Sequence, residues 1–314
     1  MHISVLLNEC INYLNIKDNG IYVDMTLGYA GHSSNILKKI PNGYLYAFDQ
    51  DEEAIKSSNT KLSDIASNYE IIKSNFVNIK KELNKRGIEK VDGILYDLGV
   101  SSPQLDEDYR GFSFHKDALL DMRMDMSNPL NASIVVNTYS KEKLIKIFKE
   151  YGEEAYALSI ANAIVKYRES KKIETTLELV SIIEKSVPFK YKREHHPARK
   201  VFQAIRIEVN DELNVFESSL KDALDLLNVG GRICVITFHS LEDKICKEIF
   251  KSVSSVPASL KNMPIIPSEY EPKYKVVKVV EPTKEEIESN PRSRSAKLRI
   301  IERVRIWKLW KSTN

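Results

Sequence analysis

The residues of this 314-residue chain best suited to chemistry lie in Val91-Asp92-Gly93-Ile94-Leu95-Tyr96-Asp97-Leu98-Gly99-Val100-Ser101-Ser102-Pro103-Gln104. An apolar run of strand type closes on Asp97 and gives way to a glycine, two serines and a proline. In an open α/β sheet ligands collect just beyond the carboxyl ends of the strands, so an acid with a tight polar turn behind it is well placed there. Gly28-Tyr29-Ala30-Gly31 is a glycine-bearing turn ahead of a helical segment. Backbone can approach a ligand closely at such a turn, and a helix amino terminus favours a negative group. The full GxGxxG dinucleotide pattern is absent. Asp49 ends the next strand-like run, where a carboxylate can accept hydrogen bonds from ribose hydroxyls. Its competing role is to cap the helix that starts near Asp51. Turn and carboxylate in one β-turn-α-β unit point to an adenosine-containing cofactor, and NAD and S-adenosylmethionine both fit. Phe76, after the third strand, offers a ring either to an adenine or to the core.

Asp97 separates those cofactors. Hydride transfer on this type of fold needs no carboxylate plus Ser-Ser-Pro at the fourth strand end, whereas methyl transfer to an exocyclic amine uses such a turn. The amine's lone pair is delocalised into its ring, and acceptors beside it can orient it and take its proton. Cysteine usage agrees. Methylation at a pyrimidine ring carbon needs a cysteine nucleophile, yet Cys10 precedes the first strand, Cys234 lies inside an apolar strand and Cys246 on a helix, all core positions. Their odd number, the lack of CxxC and the scattered histidines argue against a zinc site or a disulfide framework, and no metal is expected.

The elements that must position these groups follow a β/α rhythm. Strands are expected at 20–26, 43–49, 69–73 and 91–97, with helices at 32–40, 51–65 and 77–88 between them, which is the pattern of a parallel, doubly wound sheet. The rhythm breaks at a polar, Asp-rich loop over 103–128, and residues 140–187 read almost wholly as helix. Ile205, Val209, Leu213, Phe216, Leu220, Leu224 and Leu227 predict one long amphipathic helix over 203–228, ended by Gly230-Gly231. A fifth strand at 232–238, a helix through Phe250 and β-type runs at 274–280 and 296–304 complete the sheet. The expected organisation is an α/β core of residues 1–104 and 205–304, an inserted all-helical domain at 105–204, and a basic, aromatic tail at 305–314.

Apolar content of 42% is ample for a core, and a formal net charge of +3 does not by itself announce a nucleic-acid binder. Charge is clustered, however. Lys190, Lys192, Arg193, Arg199 and Lys200 surround His195-His196-Pro197, and Arg292, Arg294, Lys297, Arg299, Arg303, Arg305, Lys308 and Lys311 follow one another near the end. Such patches attract phosphate or form solvated faces. Trp307 and Trp310 in the tail can stack on bases or dock on the protein's own surface, and docking is favoured. Met1-His2-Ile3-Ser4 shows no secretory signal, and no apolar run approaches the roughly 20 residues that span a bilayer, so a cytoplasmic location without membrane contact is expected. The oligomeric state is left open, a homodimer included.

Several segments together carry a family resemblance: Gly28-Tyr29-Ala30-Gly31-His32-Ser33, Asp49-Gln50-Asp51, Asp97 through Asp106, Arg110-Gly111-Phe112-Ser113-Phe114, Leu120-Asp121-Met122-Arg123-Met124-Asp125, Tyr151-Gly152-Glu153-Glu154, Phe202 through Ile207, and Phe238-His239-Ser240-Leu241-Glu242-Asp243. Over about residues 1–304 the chain resembles the MraW family of ribosomal RNA methyltransferases. The resemblance implies a Rossmann-like class I methyltransferase core with an inserted helical domain. It also implies methyl transfer from S-adenosylmethionine to the exocyclic N4 amine of a cytidine in the decoding region of small-subunit (16S) ribosomal RNA, with the RNA or the ribosomal particle as partner. Carried over by motif, the cofactor contacts are Ala30, Gly31, His32, Asp49, Phe76, Asp97 and Gln104. Ala30 departs from the glycine of many members, and its methyl group crowds a backbone contact. Asp97 has two implied roles, catalysis at the cytosine amine and support of the cofactor's methionine end. His239 is a further candidate, unless it is bonded to Glu242 or Asp243. The competing functions are an NAD-linked oxidoreductase of similar core and a non-catalytic ribosome-assembly factor.

Overall fold

The computed structural model describes residues 4–100, 108–194, 196–260, 263, 266, 267 and 270–304. The chain divides into two compact units, one of residues 1–99 and 213–314, the other of residues 100–212.

The first unit is built on a seven-stranded sheet in the order β3-β2-β1-β4-β5-β7-β6. The strands are β1 (Ile21–Asp24), β2 (Tyr44–Asp49), β3 (Tyr69–Lys73), β4 (Val91–Asp97), β5 (Leu227–Thr237), β6 (Tyr274–Val280) and β7 (Lys297–Arg303). β1 to β5 pair in parallel, and β7 runs antiparallel to both β5 and β6. Side chains alternate between two apolar layers. Val23, Ile94, Tyr96, Ile233 and Val235 enter one, and Tyr22, Leu95, Cys234 and Ile236 the other. Both faces are therefore covered, as a parallel sheet requires. Strand order reverses between β1 and β4, and that switch point is where a crevice opens beyond the strand ends.

Three helices follow the expected rhythm: α2 (Gly31–Leu37), α3 (Glu52–Ser63) and α4 (Ile79–Lys85). A first helix, α1 (Leu7–Tyr13), precedes β1 and is too short to show a periodic pattern.

The second unit holds α5 (Ala132–Thr138), α6 (Lys141–Glu150), α7 (Ala157–Arg168), α8 (Thr176–Ser186), α9 (Phe189–Glu194) and α10 (Ala198–Asn210) around a core that includes Val135, Leu144, Phe148, Ile160, Ile164, Leu179, Ile183, Val201 and Ile205. Local signals start its helices cleanly. Ser140 caps α6, and Thr175 with Glu178 makes a capping box on α8.

The long helix expected over 203–228 is two helices. α10 ends at Asn210, and α11 (Glu212–Leu226) starts after Asp211, which turns left-handed at φ 51°. Arg206 spans the break with two bonds to Glu212, 2.8 and 2.9 Å long. Apolar residues keep helical spacing on both sides, so periodicity cannot see the break. It matters for the domain limits: Phe202, Ala204, Ile205 and Val209 enter the helical core. The helical unit accordingly runs past 204 to Glu212 and begins at Val100 rather than 105.

Gly230-Gly231 does not end that helix either, because β5 has already begun at Leu227. Gly230 has φ 81°, and a Cβ on Gly231 would stand 2.9 Å from the carbonyl oxygen of Asp92. The pair lets β5 enter beside β4, where the pairing register shifts between Val91 and Gly93.

After β5 come α12 (Ser240–Ser254) and, between β6 and β7, α13 (Lys284–Ser289). Among the described residues no helix is long and apolar enough to cross a membrane.

Candidate active site

The ends of β1, β2 and β4 bring three carboxylates to the switch point. Asp24 closes β1 and is buried. Its Oδ2 accepts from Ser33 Oγ at 2.6 Å and its Oδ1 from the Thr26 amide at 3.1 Å. Burial pushes the Asp24 carboxyl above its ordinary range, and the Ser33 bond opposes that shift. The Thr26 hydroxyl in turn accepts the Asp97 amide at 2.7 Å. The chain leaving β1 thus ties the end of β4 in place. Neither Asp24 nor Thr26 stood out in the sequence. The signal available was an acid at the end of the first strand.

Asp97 closes β4 where expected. His32 Nδ1 stands 3.5 Å from its Oδ2, and among the described residues its buried Oδ1 has no hydrogen-bond partner. Burial raises its carboxyl to about 6, against the lowering effect of His32 and with added raising from Asp24 and Glu242. A buried acceptor has to be met by a ligand or by residues outside those described, or it remains a cost to the fold.

The glycine-bearing turn is shaped by two left-handed residues, Gly28 (φ 48°) and Ala30 (φ 56°). Ala30 immediately precedes α2, is fully buried, and carries the backbone strain that a glycine would avoid. Gly31 opens α2, so the helix starts one residue before the expected His32. A Cβ at Gly31 would lie 1.8 Å from Ser4 Oγ. The missing side chain therefore makes room for the protein's own amino-terminal segment.

Asp49 does not cap α3. Asp51 is the cap of α3 and accepts the Glu53 amide at 3.1 Å. Asp49 accepts the Gly28 amide at 2.8 Å and the Asp51 amide at 2.9 Å, one on each oxygen. Each oxygen keeps a second lone pair for a hydroxyl donor. Burial lifts Asp49 to about 6, with those backbone bonds pulling the other way. Phe76 is half-buried, meets Tyr96 edge-on at 5.8 Å and so joins an aromatic chain that continues to Phe216. Gln104, like Ser101 to Pro103, lies outside the described residues.

His239 sits just beyond β5 beside Glu242, although neither of its ring nitrogens makes a hydrogen bond among the described residues. Its Nε2 is 3.1 Å from Glu242 Oε1, and Glu242 Oε2 accepts the Phe238 amide at 2.7 Å. All three cysteines are buried and free, and burial raises each thiol above its ordinary range. None is poised as a thiolate nucleophile.

The late basic run is partly structural. Arg299 holds Asp243 with bonds of 2.6 and 2.9 Å, Lys297 pairs with Glu281 at 3.6 Å, and Arg303 donates to the Leu227 carbonyl. Arg292 and Arg294 remain exposed, while Arg305, Lys308, Lys311, Trp307 and Trp310 lie outside the described residues. In the helical unit Lys190, Arg193 and Arg199 are exposed and Lys192 and Lys200 half-buried, while His195 is not among the described residues. Phe114, His115 and His196 form a ring cluster there, with centroids 4.4 to 5.2 Å apart.

A parallel sheet reversed at β1/β4, closed by an antiparallel β7 and carrying acids at the ends of β1, β2 and β4, defines a class I methyltransferase core. A family model described as the MraW methylase family matches residues 1–304, and the chain belongs to that family. Proteins named "Ribosomal RNA small subunit methyltransferase H" are similar over nearly their whole length. That of Finegoldia magna is 53% identical over 96% of this chain and 98% of its own. That of Exiguobacterium sibiricum is 53% identical over 97% and 98%, and that of Clostridioides difficile 52% over 96% and 99%. Solved structures align at much lower identity. An rRNA methylase from Streptococcus thermophilus is 12% identical with a TM-score of 0.44, over 97% of this chain and 100% of that one. A putative methyltransferase from Streptococcus mutans, in complex with SAH, is 14% identical with a TM-score of 0.44, over 96% and 99%.

Proposed function

We propose that this protein transfers a methyl group from S-adenosylmethionine to the exocyclic N4 amine of a cytidine in small-subunit (16S) ribosomal RNA, in the cytoplasm. The observation that carries the chemistry is Asp97, a buried carboxylate at the switch point with one oxygen unpartnered among the described residues. Family membership and the names of the similar proteins supply the cofactor and the RNA.

The site fits the cofactor on its own terms. Asp49 accepts the ribose hydroxyls on its remaining lone pairs. Phe76 offers its half-exposed ring to the adenine, and the turn at Ala30 and Gly31 offers backbone. His32 and Gln104 complete the contacts in this reading, and Asp97 serves both ligands. When bound, S-adenosylmethionine supplies an electrophilic methyl group on a sulfonium. The chain's own part is to present and deprotonate the amine. Asp97 Oδ1 accepts one N4–H bond, which orients the nitrogen and receives its proton as the amine becomes cationic. With its carboxyl at about 6, Asp97 is ionised at neutral pH yet close enough to the working pH to exchange a proton. The raised thiols argue against the ring-carbon route, which needs a cysteine adduct.

The target base has to be splayed or flipped out of its stack to reach such a pocket. The helical unit presents the RNA in this reading: exposed Lys190, Arg193 and Arg199 meet phosphate, and the Phe114–His115–His196 rings offer a stacking surface.

Incubation with methyl-labelled S-adenosylmethionine and small-subunit particles, followed by digestion to nucleosides, tests the proposal. Label in N4-methylcytidine is expected. Label at a ring carbon, or none in RNA, overturns it. A titration showing NAD binding and no affinity for S-adenosylmethionine would favour an oxidoreductase instead. A homodimer is compatible with this reading, and light scattering on the purified chain decides it.

A further inference from the structure

A residue far along the chain lies in series with Asp97. Three contacts in the sheet unit run in series. Glu286 Oε1 accepts the Leu6 amide at 2.7 Å. Leu6 sits in the left-handed region (φ 49°, ψ 35°), 1% exposed, and no cap side chain supports it. The preceding carbonyl, of Val5, faces His32 Nε2 at 3.1 Å. His32 Nδ1 then faces Asp97 Oδ2 at 3.5 Å.

Chemistry orders this series. A carbonyl only accepts, so the Val5 bond puts a proton on Nε2 of His32. The Val5 bond sets the ring's orientation and so places Nδ1, not Nε2, beside Asp97 Oδ2, where it bonds that oxygen when one of the pair carries a further proton. A buried leucine does not hold a left-handed conformation unless its surroundings over-determine it. The surroundings here are Glu286 on its amide and the Cys10 amide, which donates to its carbonyl at 2.9 Å.

We infer that Glu286 is a positioning residue for methyl transfer. It acts through the Leu6 turn and the Val5 carbonyl to seat His32, and through His32 to aim the open oxygen of Asp97. This rests on the methyl-transfer reading of the site. It goes beyond that reading by giving His32 an orienting role toward Asp97 and by assigning a role to α13, a segment that no site motif includes. Other ionisable groups around the His32–Asp97 pair are Asp24 on β1, Cys10 on α1 and Glu242 on α12.

The test uses the full-length protein with nitrogen-15 histidine, in the wild type, Glu286→Ala, Glu286→Gln and, as a neighbouring control, Glu285→Ala. Long-range proton–nitrogen spectra of the cofactor-free protein report which nitrogen of each of the six histidines carries the proton, and His32 is assigned by its loss in His32→Gln. Wild type and Glu286→Gln, whose amide oxygen can accept the same N–H, are expected to show a fixed Nε2–H ring. Glu286→Ala is expected to show a ring averaged between tautomers and on the order of tenfold lower turnover at saturating RNA, with Glu286→Gln and Glu285→Ala near wild type. A wild-type His32 signature in Glu286→Ala overturns the inference, as does equal loss of turnover in Glu286→Ala and Glu286→Gln. The spectra need no cofactor. They test the positioning series even where wild-type protein methylates nothing, an outcome that would refute the functional reading instead.

Discussion

The two units treat their buried polar groups differently. In the helical unit the buried Glu154 accepts the Tyr156 amide at 2.8 Å and the Tyr191 hydroxyl at 2.7 Å, and buried Thr176 donates to the Lys116 carbonyl at 2.6 Å while accepting the Ala118 amide at 3.0 Å. Those bonds close turns and finish a scaffold. In the sheet unit Asp24, His32, Ser33 and Glu242 are buried near the strand ends, and beside them one oxygen of Asp97 has no partner among the described residues. A fold tolerates an unmet buried acceptor where a ligand will meet it. Under the proposed function the chemistry lies in the sheet unit and the helical unit presents the RNA.

The sharpest way to break that contrast is to damage one unit and read the other. Phe148→Ala removes a fully buried ring from the helical core and should cost about 3–5 kcal/mol of that unit's stability. Denaturant melts would measure it, while S-adenosylmethionine affinity at low temperature stays within about twofold of wild type, since less than about 0.5 kcal/mol is at stake for a distant change. Loss of cofactor binding in step with the melt would mean that the units do not divide the work.

Asp97→Asn attacks the other side. Turnover at saturating cofactor should fall by about 100-fold, the size of a lost general base, and cofactor affinity should fall as well, because Asp97 serves both ligands. If the carboxylate only holds the cofactor, affinity falls and turnover at saturation survives. The same variant sharpens the claim that this carboxylate is a cost to the empty fold. Its folded value of about 6 lies above the usual carboxylate value of about 3.9, so the ionised form is disfavoured in the folded state above pH 6. The neutral amide of Asp97→Asn should then stabilise the cofactor-free protein by about 1–3 kcal/mol at about pH 8, with the gain fading as pH falls from about 6 toward 4. Thermal melts across that range would show the trend, and a gain that grew on acidification would refute it. Wild-type turnover should fall on acidification through about 6 as Asp97 takes up its proton.

Gly31→Ala drives a methyl group into Ser4 Oγ and should cost about 1–3 kcal/mol together with cofactor affinity. Thermal melts and a binding titration on one sample would separate the two losses. Smallest is Ala30→Gly. It relieves left-handed strain of about 1–2 kcal/mol but frees the unfolded chain by about 0.4–1 kcal/mol, so a net gain below about 1 kcal/mol is expected in the same melts.

Much of this contrast was legible in the residues. Asp49 and Asp97 fall at strand ends because a short apolar run and the polar turn after it announce themselves locally. The cap of α3 was not assignable, because Asp49 and Asp51 are both acids within a cap's reach, and only the bonds to the Gly28 and Glu53 amides tell them apart. The break at Asp211 stayed hidden because one apolar face serves two helices. Gly230-Gly231 looked like a helix stop because a glycine demanded by a neighbouring strand resembles one demanded by a cap. Glu286 had no local signal at all, since its partner is the amide of Leu6 at the other end of the chain.

The sequence alone determined the parallel α/β order, the helical insertion, the acids at the strand ends and the family, since each is written in short-range pattern or motif. The tertiary structure alone decided which oxygen of Asp97 lacks a partner among the described residues, which nitrogen of His32 faces the Val5 carbonyl, and that Gly31 yields its side-chain space to Ser4. Those are matters of which distant groups end up within hydrogen-bond reach, and burial gives each such contact its weight by removing the water that would otherwise substitute for it.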